Sequence, residues 1–231
     1  MKKLVFTKVT DEVTGNEKLE AVVKEIKGLQ ADGSTVSIND SLLDEALKNS
    51  LAERKQFGRG INTIFYKFND ITLVRIQKDK VIVVDSEIFN NEWIGDTLRE
   101  KGISVKRKTG VNKERGICRI SMAKVKHLTA DRKDVKETMN YPVSLSLVLW
   151  DIKLGNISGV NLQEDEIYDV VNMESHHEKA TWDNRLESTV RLTSKDHKDY
   201  HSINGAESHD IACTITSLEE LHALLEYVRN N

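Results

Sequence analysis

The sequence predicts an α+β protein with helices at its N-terminus, an antiparallel β-rich middle, and a C-terminal strand–strand–helix unit followed by a packing helix. Three observations predict it. Apolar residues recur at three- and four-residue spacing near the N-terminus, the period shortens to that of strands from Ile61, and two short strand-like runs near the C-terminus lead into a helical one. Boundaries are soft because Pro142 is the single proline. The chain divides into a helical region 1–60, a β-rich basic region 61–142 and a C-terminal domain 143–231.

The elements follow in order. Glu17 to Leu29 (EKLEAVVKEIKGL) places Leu19, Val22, Val23, Ile26 and Leu29 at helical spacing and predicts an amphipathic helix ending near Gly28. Asp40 to Arg54 predicts a second helix, with Leu42, Leu43, Ala46, Leu47 and Leu51 on one face and Asp40 or Ser41 as cap. INTIFYKF, ITLVRIQ and KVIVVD are rich in β-branched and aromatic residues. They are separated by the polar turns Asn69-Asp70 and Lys78-Asp79, so they read as consecutive antiparallel strands. A short helix is expected through SEIFNNEWIGDTLREKG, stopped by Gly102. Next, ISVKRK and GICRISMAKVKHL are strand candidates around the basic loop TGVNKERG. After Pro142, SLSLVLWDI and EIYDVVNMES read as strands, STVRL as a further short strand, and Ser194 to Ser202 as a helix capped by Ser194. In SLEELHALLEYVRN, Ser217 and Glu220 form a capping box ahead of an apolar stripe of Leu218, Leu221, Leu224, Leu225 and Val228.

Composition narrows the class of protein. At 231 residues, 39% hydrophobic and 31% charged, the chain is long enough to bury an ordinary core, and no apolar run approaches the roughly 20 residues a membrane helix needs. The N-terminal stretch MKKLVFTKVTDEVTG is a poor signal peptide, and Cys118 and Cys213 lie far apart with no C-x-x-C spacing. A reduced, cytoplasmic setting is expected, and a cysteine zinc knuckle is excluded. Net charge is −3, yet Lys101 to Thr138 holds twelve Lys and Arg against four Asp and Glu. That excess either neutralises phosphates or forms a solvated face whose balancing acids sit nearby in the fold.

Four of the seven histidines fall within 26 residues, as the pair His176-His177 and as His197 and His201. Four residues apart on a helix, the latter two share one face and can grip one ion. A nitrogen from His176 or His177 completes a three-histidine set with open positions, the arrangement of a catalytic metal centre. Neighbours on a strand point to opposite sides, so one of the pair binds and the other is left to act as a base. His222 reads as surface or core filler, His127 as a surface residue, and His209 as a group just past the unit.

The order strand–His-His, loop, strand, helix with His-x-x-x-His resembles the HNH (ββα-metal) endonuclease family over roughly 35 residues, the extent of one supersecondary unit. His176-His177-Glu178-Lys179 with Thr193, His197 and His201 is similar to the colicin and pyocin nuclease domains, whose pattern is His-His-Glu-Lys and then T-x-x-x-H-x-x-x-H. Asp183-Asn184-Arg185-Leu186-Glu187 is similar to the D-N-R-x-E-N-L loop of phage and intron-type homing proteins, from which the chain departs at Ser188-Thr189. The resemblance implies that His176, His197 and His201 bind one divalent ion (Mg²⁺, Mn²⁺ or Zn²⁺), that His177 activates water, and that Arg185 holds a phosphate. The family's asparagine falls at Ser188. Either serine substitutes poorly, or Asn184 takes the task, or activity is reduced. Counting from the loop instead places His176 as base and Ser175 as ligand; counting from His-His-Glu-Lys keeps three imidazoles on the metal and is preferred.

The implied function is metal-dependent hydrolysis of phosphodiester bonds in double-stranded DNA, by an endonuclease of phage or mobile-element (homing) type. KVIVVDSEIF and Trp93 are loosely similar to what precedes the nuclease unit in phage-type proteins, which makes the basic hairpin the DNA-gripping surface. One alternative is a DNA-binding protein whose unit no longer cleaves, and another is a nuclease toxin domain. The mild acidity of the chain speaks against the toxin.

Overall fold

A computed structural model describes residues 2–28, 33, 35–56, 64–75, 79–86, 103–105, 117–121, 140–144, 173–204 and 209–231. Thirteen strands and three α-helices lie among them, so the protein is α+β. Eight strands form one mixed sheet in the order β2-β1-β13-β3-β7-β6-β5-β4. They are β1 (Lys2–Thr10), β2 (Glu17–Glu25), β3 (Val36–Ile38), β4 (Glu53–Gln56), β5 (Ile64–Phe68), β6 (Ile71–Arg75), β7 (Lys80–Asp85) and β13 (Ile211–Ile215). Strand β13 runs parallel to both of its neighbours, β1 and β3, while the other pairs are antiparallel.

The first expected helix is a strand. Residues Glu17–Glu25 pair with β1 along its whole length, from Lys2↔Glu25 to Thr10↔Glu17. Leu19, Ala21 and Val23 also alternate, so the apolar pattern satisfies both periods, and a partner strand far stronger than local preference decides. The hairpin turn is built by Asp11, whose Oδ1 accepts from the backbone N–H of Val13 and Thr14 at 3.1 and 2.8 Å, with Gly15 at φ +71°.

The second helix is shorter than expected. Helix α1 (Asp40–Lys48) is capped by Asn39, whose side chain accepts from the N–H of Ser41 at 3.0 Å, so neither Asp40 nor Ser41 is the cap. It buries Leu42, Leu43 and Ala46, whereas Leu51 is half exposed beyond its end. Residues 53–56 turn back as the charged edge strand β4 (ERKQ), a composition that discourages pairing with another chain.

Strands β5, β6 and β7 form the expected meander. Asn69 takes φ +55° in the β5–β6 turn, a conformation asparagine tolerates better than most residues. Leu73, Val81 and Val83 belong to the main core, and Val74 and Val84, on the opposite face of the same strands, are fully buried as well. Buried Arg75 pairs with Asp40 at the start of α1 and donates to the Tyr66 hydroxyl at 3.3 Å.

Strands β8 (Ile103–Val105), β9 (Ile117–Ser121) and β10 (Asn140–Ser144) form a second, antiparallel sheet with β10 at one edge, where a proline such as Pro142 is best tolerated. β8 and β9 start within the two strand candidates predicted there. The expected helix 86–102, apart from Ser86, the basic loop 109–115, residues 145–152 and residues 166–172 lie outside the described residues.

Helix α3 (Leu218–Asn230) has the expected cap, Ser217, which accepts from the N–H of Glu220 at 3.2 Å, and it buries Leu221, Ala223, Leu224, Leu225 and Val228. Strand β13, from the expected C-terminal domain 143–231, sits between β1 and β3 in the large sheet. Among the described residues, no helix is long and apolar enough to cross a membrane.

Candidate metal centre

Strands β11 (Met173–His177) and β12 (Thr189–Thr193) form an antiparallel pair in register His176↔Val190 and His177↔Thr189, and helix α2 (Ser194–Asn204) follows at once. Alternation along β11 puts Glu174 and His176 on one face and His177 on the other. The cap of α2 is Thr193, not Ser194. Its hydroxyl accepts from the N–H of Asp196 at 3.1 Å and donates to the Asp196 carboxylate at 2.7 Å. Ser194 instead donates to Glu174 Oε1 at 2.5 Å.

One helical turn brings His197 and His201 together, their Nε2 atoms 3.1 Å apart. His176 meets both from the strand, with ring centroids 5.2 Å from His197 and 5.0 Å from His201. Ligand nitrogens of the three lie within 4.8 Å of one another. His176 is 2% exposed, and its Nε2 is buried without a hydrogen-bond partner. A buried polar atom left so costs free energy unless something occupies the space it faces. Burial, and then the adjacent His197, His201 and His209, push the His176 pKa down, which favours the neutral imidazole a cation needs. The three residues fit a divalent ion, and three neutral nitrogens suit zinc and its transition-metal neighbours better than magnesium, which prefers oxygen.

Around this set stand residues the sequence reading did not single out. Tyr200 packs 4.4 Å from the His176 ring, between centroids. Glu174 Oε2 lies 2.5 Å from His197 Nδ1. Hydrogen bonds from Ser194 and His197 hold the Glu174 carboxyl below its ordinary range. The alternation Glu-x-His on a strand was the available signal. His209, left aside in the sequence, lies 5.9 Å from His176 by ring centroid. His222 is exposed, as expected of a surface residue.

His177 faces the loop between the two strands. Its Nε2 lies 3.1 Å from Asn184 Oδ1, and Asn184 Nδ2 donates to the Trp182 carbonyl at 3.1 Å. Because the amide nitrogen has a carbonyl to donate to, the oxygen must be the atom facing His177. A neutral His177 therefore carries its proton on Nε2 and its lone pair on Nδ1.

The large sheet positions Asn184. Strand β3 pairs with β7 only at Val36↔Val81 and Ser37↔Lys80, so Val83 runs past its end. There the loop takes over the ladder: Val83 N–H donates to the Trp182 carbonyl and Asn184 N–H to the Val83 carbonyl, both at 2.9 Å. Trp182, wholly buried, donates through Nε1 to the Ile211 carbonyl at 2.7 Å and joins β13 to the loop. Asp85 accepts from the N–H of Leu186 at 2.9 Å.

Two expected catalytic residues have other tasks. Arg185 is 5% exposed, with Nε 3.0 Å from Asp183 Oδ1, Nη2 2.9 Å from Oδ2, and Nη1 on Glu187. Its fork is closed by carboxylates and does not present itself to a phosphate. Ser188 is fully buried and donates to Asp183 Oδ2 at 2.8 Å, so it braces the loop, while Asn184 is the residue that reaches His177. His176, His197 and His201 are the three residues whose ligand atoms the structure brings together.

No family model, no curated protein and no solved structure matches the chain.

Proposed function

We propose that the protein is a metal-dependent endonuclease of the HNH type, hydrolysing phosphodiester bonds in double-stranded DNA. The observation that carries this reading is the division of labour across β11. Three imidazoles converge on one point on one face, and on the other a fourth imidazole is held by an amide. His176, His197 and His201 would hold the ion. Bound there, it would act as a Lewis acid on the phosphate and on the departing 3′ oxygen.

The remaining work falls to the protein's own groups. His177 takes a proton from the attacking water at Nδ1, the atom the Asn184 bond leaves with the lone pair. Imidazole is the side chain best suited to proton transfer near neutral pH. Asn184 keeps the ring from turning. The twelve Lys and Arg between residues 101 and 138 would hold the DNA backbone, with β8 and β9 bracketing the loop that carries several of them. A phage or mobile-element role and a cytoplasmic setting complete the proposal.

A specific observation supports a second reading, a DNA-binding protein that does not cut. Ser188, in the place of the family's asparagine, is locked onto Asp183, and the Arg185 fork is spent within the loop. Incubating supercoiled plasmid with Mg²⁺, Mn²⁺ or Zn²⁺ tests both. Nicking that disappears in His177→Ala is expected; retarded but intact plasmid with every metal would favour the second reading.

A further inference from the structure

We propose that Glu174 is a positioning residue of the metal centre, its carboxylate holding the His197 ring with the proton on Nδ1 so that Nε2 is turned towards the ion. The proposal rests on the metal-binding reading of the three histidines.

Glu174 lies two residues before His176 and therefore shares its face of β11, so strand geometry alone delivers a carboxylate to the rim of the cluster. Its two oxygens are divided. Oε1 accepts from Ser194 at the first turn of α2, and Oε2 lies 2.5 Å from His197 Nδ1. An ionised carboxylate can only accept, so Nδ1 must be the donor. In a neutral His197 the lone pair is then on Nε2, the atom 3.1 Å from His201 Nε2 and inside the cluster. With the opposite tautomer, the carboxylate would face a lone pair and the cluster would face an N–H.

A carboxylate behind a ligating imidazole fixes ring and tautomer and strengthens the nitrogen as a donor. Tying β11 to α2 requires only the Ser194 bond. The second oxygen, on Nδ1, adds to that tie and also sets which nitrogen faces His176 and His201.

The test uses the full chain and Zn²⁺ as probe. Calorimetric titration of the wild type, Glu174→Ala, Glu174→Gln and Ser194→Ala is expected to give a 10- to 100-fold loss of Zn²⁺ affinity in Glu174→Ala. A smaller loss is expected in Glu174→Gln, whose amide oxygen still accepts from Nδ1, and near wild-type affinity in Ser194→Ala. Imidazole ¹H–¹⁵N correlation spectra of the metal-free wild type should show His197 protonated at Nδ1. Wild-type affinity in a folded Glu174→Ala overturns the proposal while leaving the metal site standing, whereas a wild type that binds no Zn²⁺ overturns both. If Glu174→Ala does not fold, the wild-type spectrum decides, and His197 protonated at Nε2 overturns the proposal.

Discussion

Asn184 meets His177 through its side-chain oxygen at 3.1 Å while its own backbone N–H is bonded to Val83 in the large sheet at 2.9 Å. The proposed base is thereby oriented by a residue whose backbone is fixed outside the hairpin that carries the base. Asn184→Ala is expected to leave Zn²⁺ affinity unchanged and to slow plasmid nicking by about 10-fold or more. His177→Ala should cost about 10²- to 10⁴-fold, the range for a lost general base. Single-turnover nicking rates check both, and equal rates in Asn184→Ala and wild type would remove Asn184 from the mechanism.

Asp183 carries the loop. It accepts from Arg185 and from Ser188, and both members of the ion pair are less than a tenth exposed. Removing one partner strands the other charge in the interior, a loss of about 3–5 kcal/mol. Asp183→Ala should therefore unfold at clearly lower urea concentration, whereas Glu187→Ala, at the exposed end of the same guanidinium, should change stability by under about 1 kcal/mol.

Metal binding should be visible as stability. An ion that binds only the folded chain adds about 2.7 kcal/mol at one hundred times its dissociation constant. Zn²⁺ is expected to raise the melting temperature of the wild type and to leave that of His201→Ala nearly unmoved. An equal rise in both would place the ion elsewhere.

Cys213 supplies a pH signature. Its thiol is buried in β13, and desolvation pushes its pKa above the ordinary 9.0. A group whose folded pKa is raised keeps its stabilising contribution below the unfolded value and loses it as pH climbs beyond. Stability should thus decline from about pH 9 upward, and Cys213→Ser should flatten that decline. Peptide mapping after iodoacetamide treatment at pH 8 should find residue 213 unmodified until the chain unfolds; rapid native modification would contradict the burial.

What the sequence disclosed divides by range. The histidine set was legible because its geometry is local: four residues on a helix and one step on a strand dictate which rings meet. The β5–β7 meander was legible from β-branched runs and Asn69. Residues 17–25 were misread because Leu19, Val22, Val23 and Ile26 fit a helix as well as Leu19, Ala21 and Val23 fit a strand, and only the pairing with β1 separates the two. Strand β13 was invisible, since five residues after a turn carry little signal without the neighbours 2–3 and 36–38 that they join. The choice between Ser188 and Asn184 depended on how the loop lies against β7, a contact about a hundred residues away in the chain that no local pattern encodes.

The completion of the sheet by the loop at Trp182 and Asn184, beside Val83, has an evolutionary reading. A histidine unit that borrows its scaffolding from strands elsewhere in the chain cannot be traded between proteins as a self-sufficient cassette. Substitutions around Val36, Val83 or Ile211 would disturb the loop that holds His177 without touching His176, His197 or His201, so the histidine-bearing stretch depends on residues well outside it.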